Sequence, residues 1–165
     1  GQFKVLYDAE DEDKISKHIW CIVKDGNKFY VRTTVPHPDG GYRTNHGIRR
    51  KKRATLRLHQ LIMNTPKGIC TDHINGDGLD NRKENLRICT GAENQRNRGA
   101  PKNNTSGFKG ICWNKRDKKW RAQIGHNKKY IYIGYFKDKE EAARAYDAKA
   151  KELHGEFAHL NFPDE

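Results

Sequence analysis

Short runs of alternating apolar and polar residues dominate the chain, each bounded by glycine, asparagine or a knot of charge. Residues 18–23 and 28–34 flank Lys24-Asp25-Gly26-Asn27, the pattern of a β-hairpin. Residues 58–63 place their apolar side chains at helical spacing and predict a short amphipathic helix. Residues 67–71 are β-compatible, Asn75-Gly76-Asp77-Gly78 supplies a turn, and Leu86-Arg87-Ile88 resumes alternation as a second strand. Thr90 and Glu93 have capping-box spacing, which sets a helix N-terminus there, with Asn94 in its first turn and residues 95–98 continuing it. Residues 99–107 have linker composition, so the expected division is residues 1–100, a linker at 101–105, and residues 106–165.

The second part has its own rhythm: residues 108–113, 120–124 and 130–135 alternate, separated by basic, turn-rich loops. A helix follows, with Asp138 as N-cap, Glu141 three residues on and Gly155 after the last turn. Ala142, Ala145, Tyr146 and Leu153 recur at helical spacing, and the small residues let this helix lie close to a sheet. Period-two alternation assigns Ile111, Ala122, Ile124, Ile131 and Ile133 to the helix-facing side, and Trp113 and Trp120 are expected in the core. The fold class is α+β: an N-terminal hairpin and a strand-loop-strand-helix core, then a small three-stranded antiparallel sheet packed on one helix.

Composition narrows the class of partner. With 34% hydrophobic and 33% charged residues, a chain of 165 residues supports two small units rather than one large core. The net charge of +12 is spread over both parts and favours a polyanion. No apolar run approaches a membrane span and no signal peptide opens the sequence, so nucleic acid is the expected partner rather than a membrane. Cys21, Cys70, Cys89 and Cys112 are scattered without zinc spacing; they read as free thiols in a reducing interior, most of them buried.

The densest chemistry lies in residues 71–94, where Asp72 stands beside His73, a turn-rich loop follows, and the carboxamides Asn85 and Asn94 come nine residues apart. A tight turn with Asp72 and His73 as surface neighbours is the plain alternative. A calcium loop fits poorly, because the acidic residues do not alternate toward a closing glutamate. Asp72-His73, the run Asp80-Asn81-Arg82-x-x-Asn85-Leu86-Arg87 and Asn94 resemble the ββα-metal fold of HNH-family endonucleases, in the variant whose last histidine is replaced by asparagine. The resemblance covers roughly residues 58–98, and the steps of twelve and nine residues make it specific.

That resemblance implies roles. His73 would be the general base, since imidazole titrates near neutral pH. Asp72 and the Asn94 amide oxygen would hold one divalent cation per active site, Mg²⁺ or Mn²⁺, a hard ion suited to oxygen ligands. Asn85 would bridge the loop and fix the His73 ring, and the helix start at Gly91 would face an anion with backbone N–H groups. Arg49, Arg50, Lys51, Lys52 and Arg53 are candidates for phosphate contacts beside such a core, as are Arg87 and Arg96. A solvated face, or a nuclear-import signal, is the alternative for the run at 49–53. His59 reads as a packed residue, and Gln60 departs from the Leu-His-Arg-Leu of similar nucleases.

Residues 106–163 resemble the APETALA-type, ethylene-response-factor (ERF) DNA-binding domain, through Gly107-Phe108-Lys109-Gly110-Ile111, Trp120-Arg121-Ala122-Gln123-Ile124, Ile133-Gly134-Tyr135-Phe136, Glu141-Ala142-Ala143-Arg144-Ala145-Tyr146-Asp147 and Leu160-Asn161-Phe162-Pro163. Such domains lay the sheet into the major groove. The implied DNA-contacting residues are Lys109, Asn114, Arg116, Arg121, Gln123, Tyr130 and Tyr132, with Lys109 out of strict phase. Cys112, Asn114 and Tyr132 stand where the plant domains carry arginine or tryptophan, so the plant target sequence does not carry over.

The expected protein is a site-selective, metal-dependent DNA endonuclease of homing type, acting on double-stranded DNA as a monomer or weak dimer without a small-molecule cofactor. It would work inside a bacterial host cell if encoded by a phage or mobile element. Two alternatives stay open: a DNA-binding regulator with an inactive nuclease core, and a structured-RNA binder or RNase.

Overall fold

The hairpin read from residues 18–34 forms as strands β1 (Cys21–Asp25) and β2 (Lys28–Pro36), paired antiparallel from Cys21↔Arg32 to Asp25↔Lys28. The computed structural model describes residues 2–46 and 48–164. Its chain divides into two units, Gly1–Gly91 and Ala92–Glu165, so the division falls at a helix rather than in residues 101–105.

In the first unit, alternation along β2 buries Val31 and Thr33 and exposes Arg32 and Thr34. The basic segment after it is not one run but two structures. Tyr42–Asn45 (β3) and Ile48–Lys51 (β4) make a separate exposed hairpin. Arg53–Arg57 (β5) returns to pair with β2 as the third strand of its sheet, with Ala54 and Leu56 half-buried between outward Arg53, Thr55 and Arg57. The predicted amphipathic helix forms as Leu58–Ile62 (α2), which buries Leu58, His59 and Ile62. Leu58 and Ile62 join Ile15, Val31 and Leu86 in the core, with Val5, Tyr7, Trp20, Ile22, Met63 and Leu79 packed around them. Ile15 comes from a short helix, Glu12–Ile15 (α1).

Cys70–His73 (β6) and Leu86–Cys89 (β7) are the two strands of the motif, in register Cys70↔Cys89, Thr71↔Ile88, Asp72↔Arg87 and His73↔Leu86. The next helix runs Gly91–Arg96 (α3). Of the four cysteines only Cys89 is buried; Cys70 and Cys112 are intermediate and Cys21 is exposed, which corrects the expectation that most pack inside.

The second unit is a three-stranded antiparallel sheet, Ile111–Asn114 (β8), Lys119–His126 (β9) and Lys129–Phe136 (β10), in order β10-β9-β8. Helix Lys139–His154 (α4) covers one face, capped as predicted: the Asp138 carboxylate accepts from the N–H groups of Glu140 and Glu141, and Gly155 ends it at φ 53°. Ile111, Ala122 and Ile124 meet Ala142, Ala143, Tyr146 and Ala150, with Ile131 and Ile133 packed against them. Gly110 lets this layer close, because a Cβ there would fall 2.2 Å from the Tyr146 ring. Trp120 packs on this core, but Trp113 is 44% exposed at the end of the sheet, against the expectation of core burial. The fold is mixed α and β, with small antiparallel sheets and a C-terminal helix on one of them.

Candidate active site and nucleic-acid interface

Pairing of β6 with β7 brings residues fifteen apart in sequence face to face, so Asp72 lies directly across from Arg87. Arg87 donates from Nε (3.1 Å) and Nη2 (2.9 Å) to Asp72 Oδ2, and both side chains are largely buried. The guanidinium expected on DNA is therefore engaged with the acidic residue expected to bind metal. His73, one residue on, turns to the other side of the strand pair, opposite Leu86.

The His73 ring is enclosed. Its centroid lies 4.8 Å from that of His59 in an edge-on contact and 6.0 Å from that of Tyr30. Its Nε2 is 3.3 Å from Oδ1 of Asn81, a residue with no exposed surface. Asn81 Nδ2 donates to the Gly78 carbonyl (3.4 Å), which leaves the amide oxygen facing the ring. An amide oxygen can only accept, so Nε2 carries the proton and Nδ1 the lone pair. Burial holds His73 below the ordinary histidine pKa, opposed by the Asn81 hydrogen bond and by Asp72 and Asp77. His59 is pushed down to about 3, chiefly by burial, then by His73 and Arg57, and its buried Nδ1 has no hydrogen-bond partner. Both imidazoles are neutral at pH 7.

Asn85 braces the loop as expected, but it does not touch the His73 ring in any of its hydrogen bonds. Its Oδ1 accepts from the Asn75 N–H (2.9 Å), and its Nδ2 donates to Asn75 Oδ1 (3.0 Å) and to the Asp80 carbonyl (2.8 Å). Ring orientation falls to Asn81 instead, which the sequence reading left without a role. Asp80 closes the loop from the other end, accepting from Arg82 Nε and Nη2 at 2.8 Å each and from Asn75 Nδ2 at 3.1 Å. The Arg82 hydrogen bonds hold its carboxyl below the usual carboxylate range.

The N-terminal segment, which carried no role in the sequence, straps this loop to the unit. Leu6 N–H donates to the Leu79 carbonyl (2.9 Å), Asn81 N–H donates to the Leu6 carbonyl (2.7 Å), and Lys83 N–H donates to Asp8 Oδ2 (2.7 Å). Lys83 Nζ also pairs with Glu10 and Asp11. On the opposite side Gly78 permits close approach, since a Cβ would sit 2.2 Å from the Phe29 carbonyl oxygen.

Asn94 lies in the first turn of α3, five residues beyond Cys89 at the end of β7. Among the described residues no three His, Cys, Asp or Glu side chains gather as a metal cluster. The chemistry of the donor set still fits a hard cation: one carboxylate and one amide oxygen, with water and phosphate left to complete the shell.

On the second unit, strand register sorts the predicted contacts. Arg121 pairs across from Cys112 and Tyr135, and Gln123 from Tyr132, on the face away from α4. Tyr130 is 78% and Tyr132 57% exposed there. A bulge between Tyr132 and Gly134 shifts the phase of β10 by one residue. It turns Tyr135 to the same face, 5.4 Å from the Tyr132 ring, where strict alternation would have put it under the helix. Asn114 serves this face by shaping its edge: its Nδ2 donates to the Tyr135 hydroxyl (2.7 Å) and to Asp117 Oδ2 (3.0 Å), and its Oδ1 accepts from the Arg116 N–H. Arg116 is 85% exposed although it pairs with Asp117. Lys109 points elsewhere: its ammonium donates to the Arg96 carbonyl, and burial drops its pKa to about 8.

Among the described residues no helix is long and apolar enough to cross a membrane. Residues 64–96 match the family model described as HNH endonuclease, and residues 106–156 match the AP2 domain. Protein 3.8 of Escherichia phage T7 is 39% identical over 93 residues, 56% of this chain and 76% of its own length. An uncharacterized HNH endonuclease, L560, of Acanthamoeba polyphaga mimivirus is 31% identical over 112 residues, 64% of this chain and 57% of its own length. Dehydration-responsive element-binding protein 2A of Arabidopsis thaliana is 37% identical over 71 residues, 40% of this chain and a fifth of its own length. The chain thus spans three quarters of the T7 protein but little more than half of the mimivirus protein. These matches support a DNA endonuclease or a DNA-binding protein, and the chain belongs to the family of T7 protein 3.8, with an HNH endonuclease domain followed by an AP2 DNA-binding domain.

Proposed function

We propose that this protein is a metal-dependent endonuclease of duplex DNA, site-selective and of homing type, in which His73 is the general base. The observation that carries the reading is the His73 ring itself: neutral, walled by His59 and Tyr30, and oriented through Nε2 by Asn81. In hydrolysis His73 Nδ1 takes a proton from water as its oxygen bonds to phosphorus, and the bond to the 3′-oxygen breaks. Asp72 and Asn94 are the residues that would hold Mg²⁺ or Mn²⁺, which when bound stabilises charge on the phosphate and the departing oxygen. Asn85, Asn75 and Asp80 keep the loop rigid, so that base and phosphate meet in one geometry. The outer face of the β8–β10 sheet, with Arg121, Gln123, Tyr130, Tyr132 and Tyr135, supplies affinity and site choice. A monomer with one such site nicks one strand; a double-strand break takes a dimer or two events. Residence inside a phage-infected cell, where its DNA substrate lies, belongs to the same reading.

The test is nicking of supercoiled plasmid by wild type and His73→Ala, with Mg²⁺ and with EDTA. Wild type nicks with Mg²⁺ only, and the alanine variant is slower by about 10²- to 10⁴-fold. Equal rates for the two would remove His73 from the chemistry. One observation favours the second reading, a DNA-binding regulator without cleavage: Arg87 already neutralises Asp72. Under that reading wild type binds duplex DNA and never nicks it, with either metal.

A further inference from the structure

Between β2 and β5 the chain makes an excursion that adds nothing to a hydrophobic core. Strands β3 and β4 pair only with each other, in register Tyr42↔Lys51, Arg43↔Arg50, Thr44↔Arg49 and Asn45↔Ile48, and every residue of both is exposed. The base is fixed, because Lys52 N–H donates to the Gly41 carbonyl (2.9 Å) and His37 N–H donates to the Lys52 carbonyl (3.0 Å). Arg53 also stays at the base, donating to the Thr34 carbonyl at 2.8 Å. Beyond it extends a two-stranded arm, a structure that is marginal in water by itself. Arg43 directly opposite Arg50 is a like-charge pair that disfavours the pairing further. Among the described residues no carboxylate forms an ion pair with Arg43, Arg49, Arg50 or Lys51. The arm is a shape whose charge is left for a partner to neutralise.

Directly paired residues share a face of a ribbon. One face therefore carries Tyr42, Thr44, Arg49 and Lys51, with the Arg49 guanidinium 4.1 Å over the Tyr42 ring. The other carries Arg43, Asn45, Ile48 and Arg50. Each face presents two cations. A ribbon that docks flat needs one charged face; a ribbon charged on both faces suits a slot with an anionic wall on each side. The major groove of B-form DNA is such a slot, about 12 Å wide, bounded by two phosphate strands and able to admit a two-stranded ribbon. The corresponding groove of duplex RNA is too narrow. We infer that the β3–β4 arm enters the major groove of duplex DNA, with Arg43 and Arg50 toward one phosphate wall and Arg49 and Lys51 toward the other. The inference rests on the DNA-binding half of the proposed function and not on cleavage.

The experiment uses the full chain in EDTA, where cleavage plays no part, with a mixed-sequence duplex followed by fluorescence anisotropy across a salt series. Arg43→Gln with Arg50→Gln is one variant, and Arg49→Gln with Lys51→Gln the other. Each is expected to flatten the slope of log K against log salt by about 2, and the quadruple variant by about 4, at roughly 0.9 per phosphate released. All melt with the wild type, since the arm buries nothing. Guanine N7 methylation is expected to interfere with wild-type binding, and adenine N3 methylation is not. A slope unchanged by either double variant would mean flat docking and overturn the inference. So would interference at adenine N3, equal losses on duplex RNA, or loss of binding to anionic vesicles in place of DNA. Nicking that survives His73→Ala would sink the proposed chemistry and leave these binding results standing.

Discussion

The two units reach order by different means. Among the described residues, nine of the twelve buried polar side chains lie in Gly1–Gly91, whereas the interior of Ala92–Glu165 is chiefly isoleucine, alanine and tyrosine. The first unit spends its interior on holding a loop: Asn75, Asp80, Asn81 and Asn85 bond to one another, to Gly78 and to Arg82 rather than packing as hydrocarbon. The second uses its interior only to seat a sheet on a helix, and its chemistry lies on the outer face. A site that must orient a base needs buried polar partners; a surface that reads a polyanion needs a rigid support behind it.

That contrast can be broken one unit at a time. The largest effects should come from the two glycines at close approaches. Gly78→Ala drives a Cβ into the Phe29 carbonyl and the Tyr30 ring, and Gly110→Ala drives one into the Tyr146 ring from a backbone at φ 79°. Each should cost about 3 kcal/mol, and hydrogen exchange should show protection falling in its own unit only. Loss of protection in both units from one substitution would show that they are not separately stabilised.

Acid should separate the units next. His59 is held at about 3 in the folded state, against about 6.5 when unfolded. A depressed folded value means that the unfolded chain binds the extra proton. The stability is therefore complete above about pH 6.5 and drains as pH falls toward 3, by on the order of 3 kcal/mol at pH 4. His73 shifts in the same direction, and so does His154 in the second unit, chiefly by burial. Urea unfolding followed by exchange should show the first unit losing more stability between pH 7 and pH 4, with His59→Gln flattening the loss. An equal loss in both units, unaffected by His59→Gln, would contradict it.

Asn81→Ala is a smaller change with a more specific readout. It leaves the buried Nε2–H of His73 without its acceptor, at about 2 kcal/mol. Single-turnover nicking should slow by about tenfold or more through misorientation, while duplex affinity in EDTA stays at the wild-type value. An unchanged rate would assign Asn81 to the loop alone.

Local periodicity carried much of this fold. The β1–β2 hairpin, α2, the β6–β7 pair and the sheet with α4 all follow from apolar spacing, turn residues and caps that act over a few positions. What stayed hidden depends on register between distant strands. Ala54 and Leu56 alternate as a strand should, but their cationic neighbours drew attention to charge, and only pairing with β2 makes β5 part of the sheet. The Asp72–Arg87 ion pair follows from the β6–β7 register, which residue spacing does not state. The bulge after Tyr132 leaves no mark in alternation, so Tyr135 was missed on the outer face and Trp113 was assigned to the core. Asn81 was in plain view within the motif; a buried amide between a turn and a histidine is a tertiary fact that no local pattern announces.

The most direct test of a neutral, pre-oriented His73 is the single-turnover nicking rate as a function of pH at saturating Mg²⁺. A base held below the ordinary histidine pKa is already unprotonated at pH 6.5, so the rate should rise only below that point and run flat from there to pH 8.5. A rate that keeps climbing tenfold per pH unit from 6.5 to 8.5 would mean that hydroxide, not the His73 imidazole, is the base.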